Sequence, residues 1–214
     1  MSQKIETAPE MRLYSATGER LYLNKDERAR FLLSANDESP IDRMFCQVLH
    51  DTGCRPSEAL ALFADRVQFE GTITFRTLKK RTHDGRGRVK LPQYRAVPVS
   101  LRLIENLDLV FGLRRLQRQK DSLAAQMPFW PMSRTTAYRL VKRVMARADI
   151  EGKQATAKGL RHAFGVAMIT AAKPVPIHLL AKAMGHSSTK TTEVYLSVIG
   201  EEERSIFLDA WELS

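Results

Sequence analysis

The chain is short of several features that would announce a chemistry. Its two cysteines, Cys46 and Cys54, are too few for a disulfide framework and lack metal-ligand spacing. They read as buried or half-buried free thiols in a reducing compartment. No apolar run approaches the roughly 20 residues that a membrane-spanning helix needs. The polar stretch from Met1 to Arg20 has no signal-peptide apolar region, so a cytoplasmic protein is expected. There is no Gly-rich phosphate loop, no G-x-S-x-G elbow and no cluster of metal-ligand residues. That disfavours nucleotide hydrolysis, α/β-hydrolase chemistry and zinc chemistry, and leaves an expectation of no metal and no cofactor. Internal repeats and low-complexity segments are absent too.

What is present is positive charge, and it is unevenly placed. The net charge is +10 over 214 residues. Residues 1–70 carry 9 Lys/Arg against 12 Asp/Glu, residues 71–158 carry 20 against 6, and residues 159–214 carry 5 against 6. The whole excess therefore sits in the middle of the chain. Solvating charge would be spread evenly, whereas a phosphate-facing surface concentrates it. No strongly amphipathic, Trp/Phe-rich basic helix supports a lipid partner, so nucleic acid is favoured.

The local signals are mainly helical. Asn24-Lys-Asp-Glu27 matches a capping box opening a helix through Phe31, Leu32 and Leu33. Ser39-Pro40 starts a second helix, with Ile41, Met44, Phe45, Val48 and Leu49 at helical spacing. A third begins at Pro56. Thr72 to Thr77 and Tyr94 to Val99 alternate like strands, and the glycine-containing Lys79 to Lys90 between them is strongly basic. Helices then return from Ser100 to Leu113, Ser133 to Ala148, Lys158 to Ala171 and Ile177 to Met184. Short helices near Thr191–Val198 and Glu203–Trp211 complete the pattern. The class expected is mainly α with a small antiparallel sheet, an α+β fold, as a hairpin or three strands.

Four segments place cations in turn-like positions and end on an isolated tyrosine. They are Thr52-Gly-Cys-Arg55-Pro-Ser-Glu58, Leu78-Lys79-Lys80, Lys158-Gly-Leu-Arg161-His162, and Gly185-His186 with Tyr195 nine residues after the histidine. Together they resemble the catalytic domain of the tyrosine recombinase (phage integrase) family. The family pattern runs Thr-Gly-x-Arg-x-x-Glu, a hairpin lysine, His-x-x-Arg-His, Gly-His, then tyrosine. Each piece alone has a bland reading: Arg55 paired with Glu58, solvated hairpin lysines, a helix-entry His186, a core ring for Tyr195. The ordered set is what makes the resemblance specific.

The resemblance spans about Leu23 to the C-terminus, with residues 1–22 as an N-terminal extension too short for a second core. It implies a site-specific recombinase that cuts and rejoins DNA through a 3′-phosphotyrosine. Arg55 and Arg161 would hold the scissile phosphate with planar bidentate contacts, and His186 would add a donor. Tyr195 would attack phosphorus, and Lys79, favoured over Lys80 by alignment of Thr-Leu-Lys with the family hairpin, would protonate the leaving 5′ oxygen. Lys158 stands where most members have a histidine assigned to proton handling or phosphate contact. A lysine keeps the contact, but a protonated one is a poor base for a phenol of pKa about 10, so Lys158 is either electrostatic only or has its pKa lowered by crowding from Arg55 and Arg161. Glu58 is expected to hold its turn, and His162 to brace its helix.

Lys80, Arg81, Arg134, Arg139, Lys142 and Arg143 are candidate DNA-backbone contacts, which position rather than specify. The apolar side of the terminal segment, Ile206, Phe207, Ala210 and Trp211, suits docking on a neighbouring subunit in a DNA-bound homotetramer, or packing on its own domain. Most family members carry a further helical DNA-clamping domain before the catalytic one, and short relatives like the fimbrial phase-variation invertases do not. Two other functions share the residues: a type IB topoisomerase, and a non-catalytic DNA-binding regulator on a recombinase scaffold. A nucleoid-associated location follows from the DNA partner.

Overall fold

A computed structural model describes residues 12–78, 91–119 and 122–197, together with Leu208. The capping box at Asn24 opens α1 (Lys25–Ala35), with Asn24 Oδ1 accepting the Glu27 N–H at 2.8 Å and Glu27 returning the bond to Asn24 N–H. Ser39 caps α2 (Pro40–Thr52), with proline in its first turn. Then come α3 (Pro56–Leu60), a 3₁₀ turn at Ala64–Arg66, β1 (Val67–Gln68), β2 (Thr72–Arg76) and β3 (Tyr94–Pro98). The three strands form one antiparallel sheet in the order β1-β2-β3, with Ile73 opposite Val97 and Phe75 opposite Arg95. Helices α4 (Leu101–Phe111), α5 (Leu113–Arg118), α6 (Leu123–Gln126), α7 (Arg134–Arg147), α8 (Ala157–Ile169) and α9 (Ile177–Met184) follow, then 3₁₀ turns at Thr189–Thr191 and Glu193–Ser197.

The fold class matches the expectation. Two short helices, α5 and α6, lay in a stretch for which no element was expected, and α8 starts one residue earlier and ends two earlier than its pattern suggested. The turns at Thr189–Thr191 and Glu193–Ser197 are 3₁₀ rather than α-helical. Ile41, placed by its spacing on the apolar face of α2, is exposed instead, and so is Leu33 in α1. Leu33 lies two residues beyond the buried Phe31 and so faces away from it on a 3.6-residue period.

The core is centred on α2, which packs against α1, α4 and α8. Phe45 meets Trp130 edge-on at 5.3 Å, and Phe129 stacks on Phe111 at 4.5 Å. The buried Trp130 indole N–H is satisfied by the Ile41 carbonyl at 2.8 Å, so the ring is buried without an orphaned donor. Leu13 and Tyr22, from the stretch read as an extension, are buried in this same core. Among the described residues no helix is long and apolar enough to cross a membrane. Both cysteines are buried, free and pushed up to about 12, by burial first. Lys79, Lys80 and Arg81, and the segment Glu203–Trp211 apart from Leu208, lie outside the described residues.

Candidate active site

The turn after α2 sets the first arginine. Gly53 ends the helix in the left-handed region (φ 57°), where its N–H still reaches the Leu49 carbonyl at 3.1 Å. A Cβ there would also lie 2.5 Å from the Phe164 ring. Two residues later Arg55 stands at the entry of α3. Its backbone N–H donates to Glu58 Oε2 at 2.9 Å and its guanidinium to Glu58 Oε1 at 3.0 Å, as the i+3 spacing foretold. The Arg55 side chain remains about a quarter exposed.

Glu58 is fully buried and shared. Arg95, from β3, donates to its Oε2 at 2.7 Å and to the Ala183 carbonyl at 2.8 Å. Burial alone would raise the Glu58 pKa, but the Arg95 hydrogen bond and charge, with help from Arg55, hold it below the usual carboxylate range. Arg95 also lies over the Phe75 ring at 5.2 Å. It thus ties the Arg55 turn to the end of α9, three residues before His186.

Arg161, on α8, is buried among carbonyls. It donates to Gly53 and to Met184, the latter at 2.6 Å, and its Nη2 lies 3.2 Å from His186 Nε2. Burial, then the Arg55 charge, lowers it to about 10, which still leaves it cationic at neutral pH. His186 follows the end of α9, its N–H reaching back to the Ala181 carbonyl at 3.0 Å. Its Nδ1 meets Thr192 Oγ1 at 2.7 Å. With Arg161 donating to Nε2, the ring proton belongs on Nδ1, facing Thr192. Burial and the charges of Arg161 and Arg55 depress His186 to about 3.

Tyr195 is completely buried on the last 3₁₀ turn. Its hydroxyl lies 3.2 Å from His162 Nδ1. Its ring lies on α8 at Gly165, where an added Cβ would fall 2.4 Å from Cζ and 2.5 Å from Cε1. Burial raises the phenol to about 12, against the opposing pull of Arg161 and then Arg55. His162 is 2% exposed and lowered to about 3, by burial, then Lys158, then Arg161.

Arg55, Glu58, Arg161, His162, His186 and Tyr195 are therefore brought together by α3, the α8 N-terminal half and the α9 exit. Lys158 is exposed on the first turn of α8, with no hydrogen bond or ion pair to a described residue. Its charge reaches His162. Of the basic set on α7, Arg134 and Arg139 are exposed and have no partner among the described residues. Lys142 donates to the Ala155 carbonyl at 3.0 Å, and Arg143 is engaged by Glu38 at 2.6 and 3.0 Å.

Three participants escaped the sequence reading: Arg95, Gly165 and Thr192. A charged residue on the inward register of an alternating strand, and a glycine inside a helix, were the available signals for the first two. Thr192 carried none.

The Phage integrase family model matches residues 22–201. Tyrosine recombinase XerC 2 of Ralstonia nicotianae is 30% identical over 193 residues, covering 87% of this chain and 52% of its own length. Tyrosine recombinase XerD of Mycobacterium leprae is 27% identical over 203 residues, 88% and 60% of the two chains. The chain spans about half the length of the curated relatives it matches. The crystal structure of XerA recombinase superposes with a TM-score of 0.67 at 21% identity, covering 88% of this chain and 64% of that one. The catalytic domain of bacteriophage HP1 integrase gives 0.57 at 20% identity, covering 89% and 95%.

Proposed function

The chain belongs to the phage integrase family, and from that premise we propose that it is a site-specific recombinase whose Tyr195 cuts and rejoins double-stranded DNA. Attack on a phosphodiester builds negative charge on the non-bridging oxygens. Arg55 and Arg161 supply fixed positive charge against it, and His186, through its Nε2, holds the Arg161 guanidinium in place. Tyr195 Oη bonds to phosphorus as the 5′ oxygen leaves with a proton from Lys79. The 3′-phosphotyrosine retains the energy of the broken linkage, so rejoining draws on no ATP. Arg134 and Arg139 on α7 and the basic 79–90 segment contact the DNA backbone. The segment after Glu203 docks on a neighbour in a tetramer.

The observation that carries this reading is the convergence on one tyrosine. Tyr195 Oη lies in the field of both Arg161 and Arg55, while His186 is hydrogen-bonded to Arg161 itself. Among solved neighbours, XerH is described bound to its difH substrate before and after cleavage, at TM-scores of 0.63 and 0.64.

The test is capture of an SDS-resistant adduct between the full chain and a pool of randomised-sequence duplexes carrying nicks. An adduct with the native chain that is absent in Tyr195→Phe supports the reading. No adduct above background overturns it. Relaxation of plasmids regardless of sequence would instead mark a topoisomerase.

A further inference from the structure

We propose that His162, rather than Lys158, is the base that takes the phenolic proton from Tyr195 during strand cleavage. The inference rests on Tyr195 being the nucleophile. It begins from contact: His162 Nδ1 is the one ring nitrogen within hydrogen-bond distance of Oη among the described residues, at 3.2 Å. Lys158 is on the exposed side of the first turn of α8 and has no bond to Oη. The seat is built for that contact, since Gly165 leaves the space that the Tyr195 ring occupies one turn along the same helix.

The protonation states agree with the geometry. Among the described residues the buried His162 Nε2 has no hydrogen-bond partner. In the tautomer with the ring proton on Nε2, Oη donates to Nδ1 and the lone pair faces the phenol. The groups facing the imidazole are Lys158 and Arg161 on its own helix, Tyr195 on the final 3₁₀ turn, and His186 beyond Arg161. Burial and the two cations keep His162 uncharged at neutral pH, so its lone pair is available. In the free protein the same cations oppose its protonation. Burial is the larger cause of the lowered His162 pKa, but a scissile phosphate held by Arg55 and Arg161 brings negative charge that offsets the Arg161 contribution, so the imidazole is a stronger base with DNA in the site than without it. The acceptor is thereby coupled to substrate.

The step balances without a further reactant. The proton moves from Oη to Nδ1 as Oη forms its bond to phosphorus. The bond from phosphorus to the 5′ oxygen breaks, its electron pair stays on that oxygen, and the oxygen takes a proton from the general acid. Rejoining reverses each transfer.

The experiment uses the nicked duplex that the native full-length chain captures as an adduct. If the native chain forms none, the nucleophile assignment fails, and the result is distinct from failure of the base. His162→Asn is the informative variant: its side-chain carbonyl accepts the Tyr195 hydrogen bond but takes no proton. Single-turnover cleavage is expected to slow by about 100-fold or more, with unchanged DNA affinity. Placing 3,5-difluorotyrosine at 195, whose phenol ionises more readily, is expected to restore at least about tenfold of that loss. His162→Asn cleaving at the native rate overturns the proposal, because a purely bracing role is met by the asparagine. It is overturned equally if the fluorinated residue rescues Lys158→Gln and not His162→Asn.

Discussion

Replacing Arg95 with methionine should unfold the protein more readily than the loss of a surface arginine, and for a reason visible in Glu58. That carboxylate is fully buried and is held by Arg95 at 2.7 Å and by Arg55 at 3.0 Å. Removing one partner leaves a buried charge half compensated, a loss of about 3–5 kcal/mol. For a chain of 150–250 residues each kcal/mol shifts Tm by about 2–4 °C, so a fall of roughly 6–20 °C is expected in Arg95→Met. Glu58→Gln alone should also destabilise, since Arg95 then has no counter-charge.

The double variant Arg95→Met/Glu58→Gln removes both buried charges and should recover much of the loss, giving a coupling energy of a few kcal/mol in the cycle. The pH dependence has a definite sign. Glu58 has its folded pKa below the ordinary carboxylate value, so its contribution is complete above about pH 4.3 and fades as pH falls through the folded pKa. The Glu58→Gln chain should therefore lose less stability on acidification than the native chain. Thermal unfolding followed by circular dichroism between pH 3 and 7 measures all four proteins. A single variant as stable as the native chain, or a double variant worse than the sum of the singles, would refute this account of the triad.

Gly165→Ala should drive the Tyr195 ring from its seat, since the new Cβ would lie 2.4 Å from Cζ. Overpacking of this kind costs about 1–3 kcal/mol, and tyrosine fluorescence should report a more exposed phenol; unchanged burial of Tyr195 would contradict the contact. Arg134→Ala/Arg139→Ala should weaken DNA binding and lower the salt dependence of log K by about 2. Arg143→Ala should instead lower stability more than DNA affinity, because its guanidinium serves Glu38; equal effects on DNA from all three would show that α7 does not discriminate among them.

The local devices were legible because they are short-range. The Asn24–Glu27 box, the Ser39-Pro40 start, the Ser100 and Ser133 caps and the Arg55–Glu58 bond each join residues three or four apart. Strand alternation placed β2 and β3 within a residue of their ends. Less was legible where only packing decides. Arg143 looked like a phosphate contact on a basic helix, but Glu38 lies 105 residues before it in the chain and close to it in space. His162 was read as a brace. It is buried as a brace would be, yet its partner is the tyrosine itself, 33 residues on.

Order and spacing along the chain were enough to select the family, because phosphate-binding arginines, a histidine and a tyrosine recur there in one sequence pattern that does not depend on seeing them meet. They also located the excess of positive charge, a property of composition alone. Tertiary structure decided how the site is held. It brought Arg95 from β3 between Glu58 and the α9 carbonyl of Ala183, and it seated Tyr195 on Gly165 with its hydroxyl at His162. Those contacts join residues 37, 88 and 33 positions apart. They arise from the way α8, α9 and the sheet close on one another, and no local propensity encodes them.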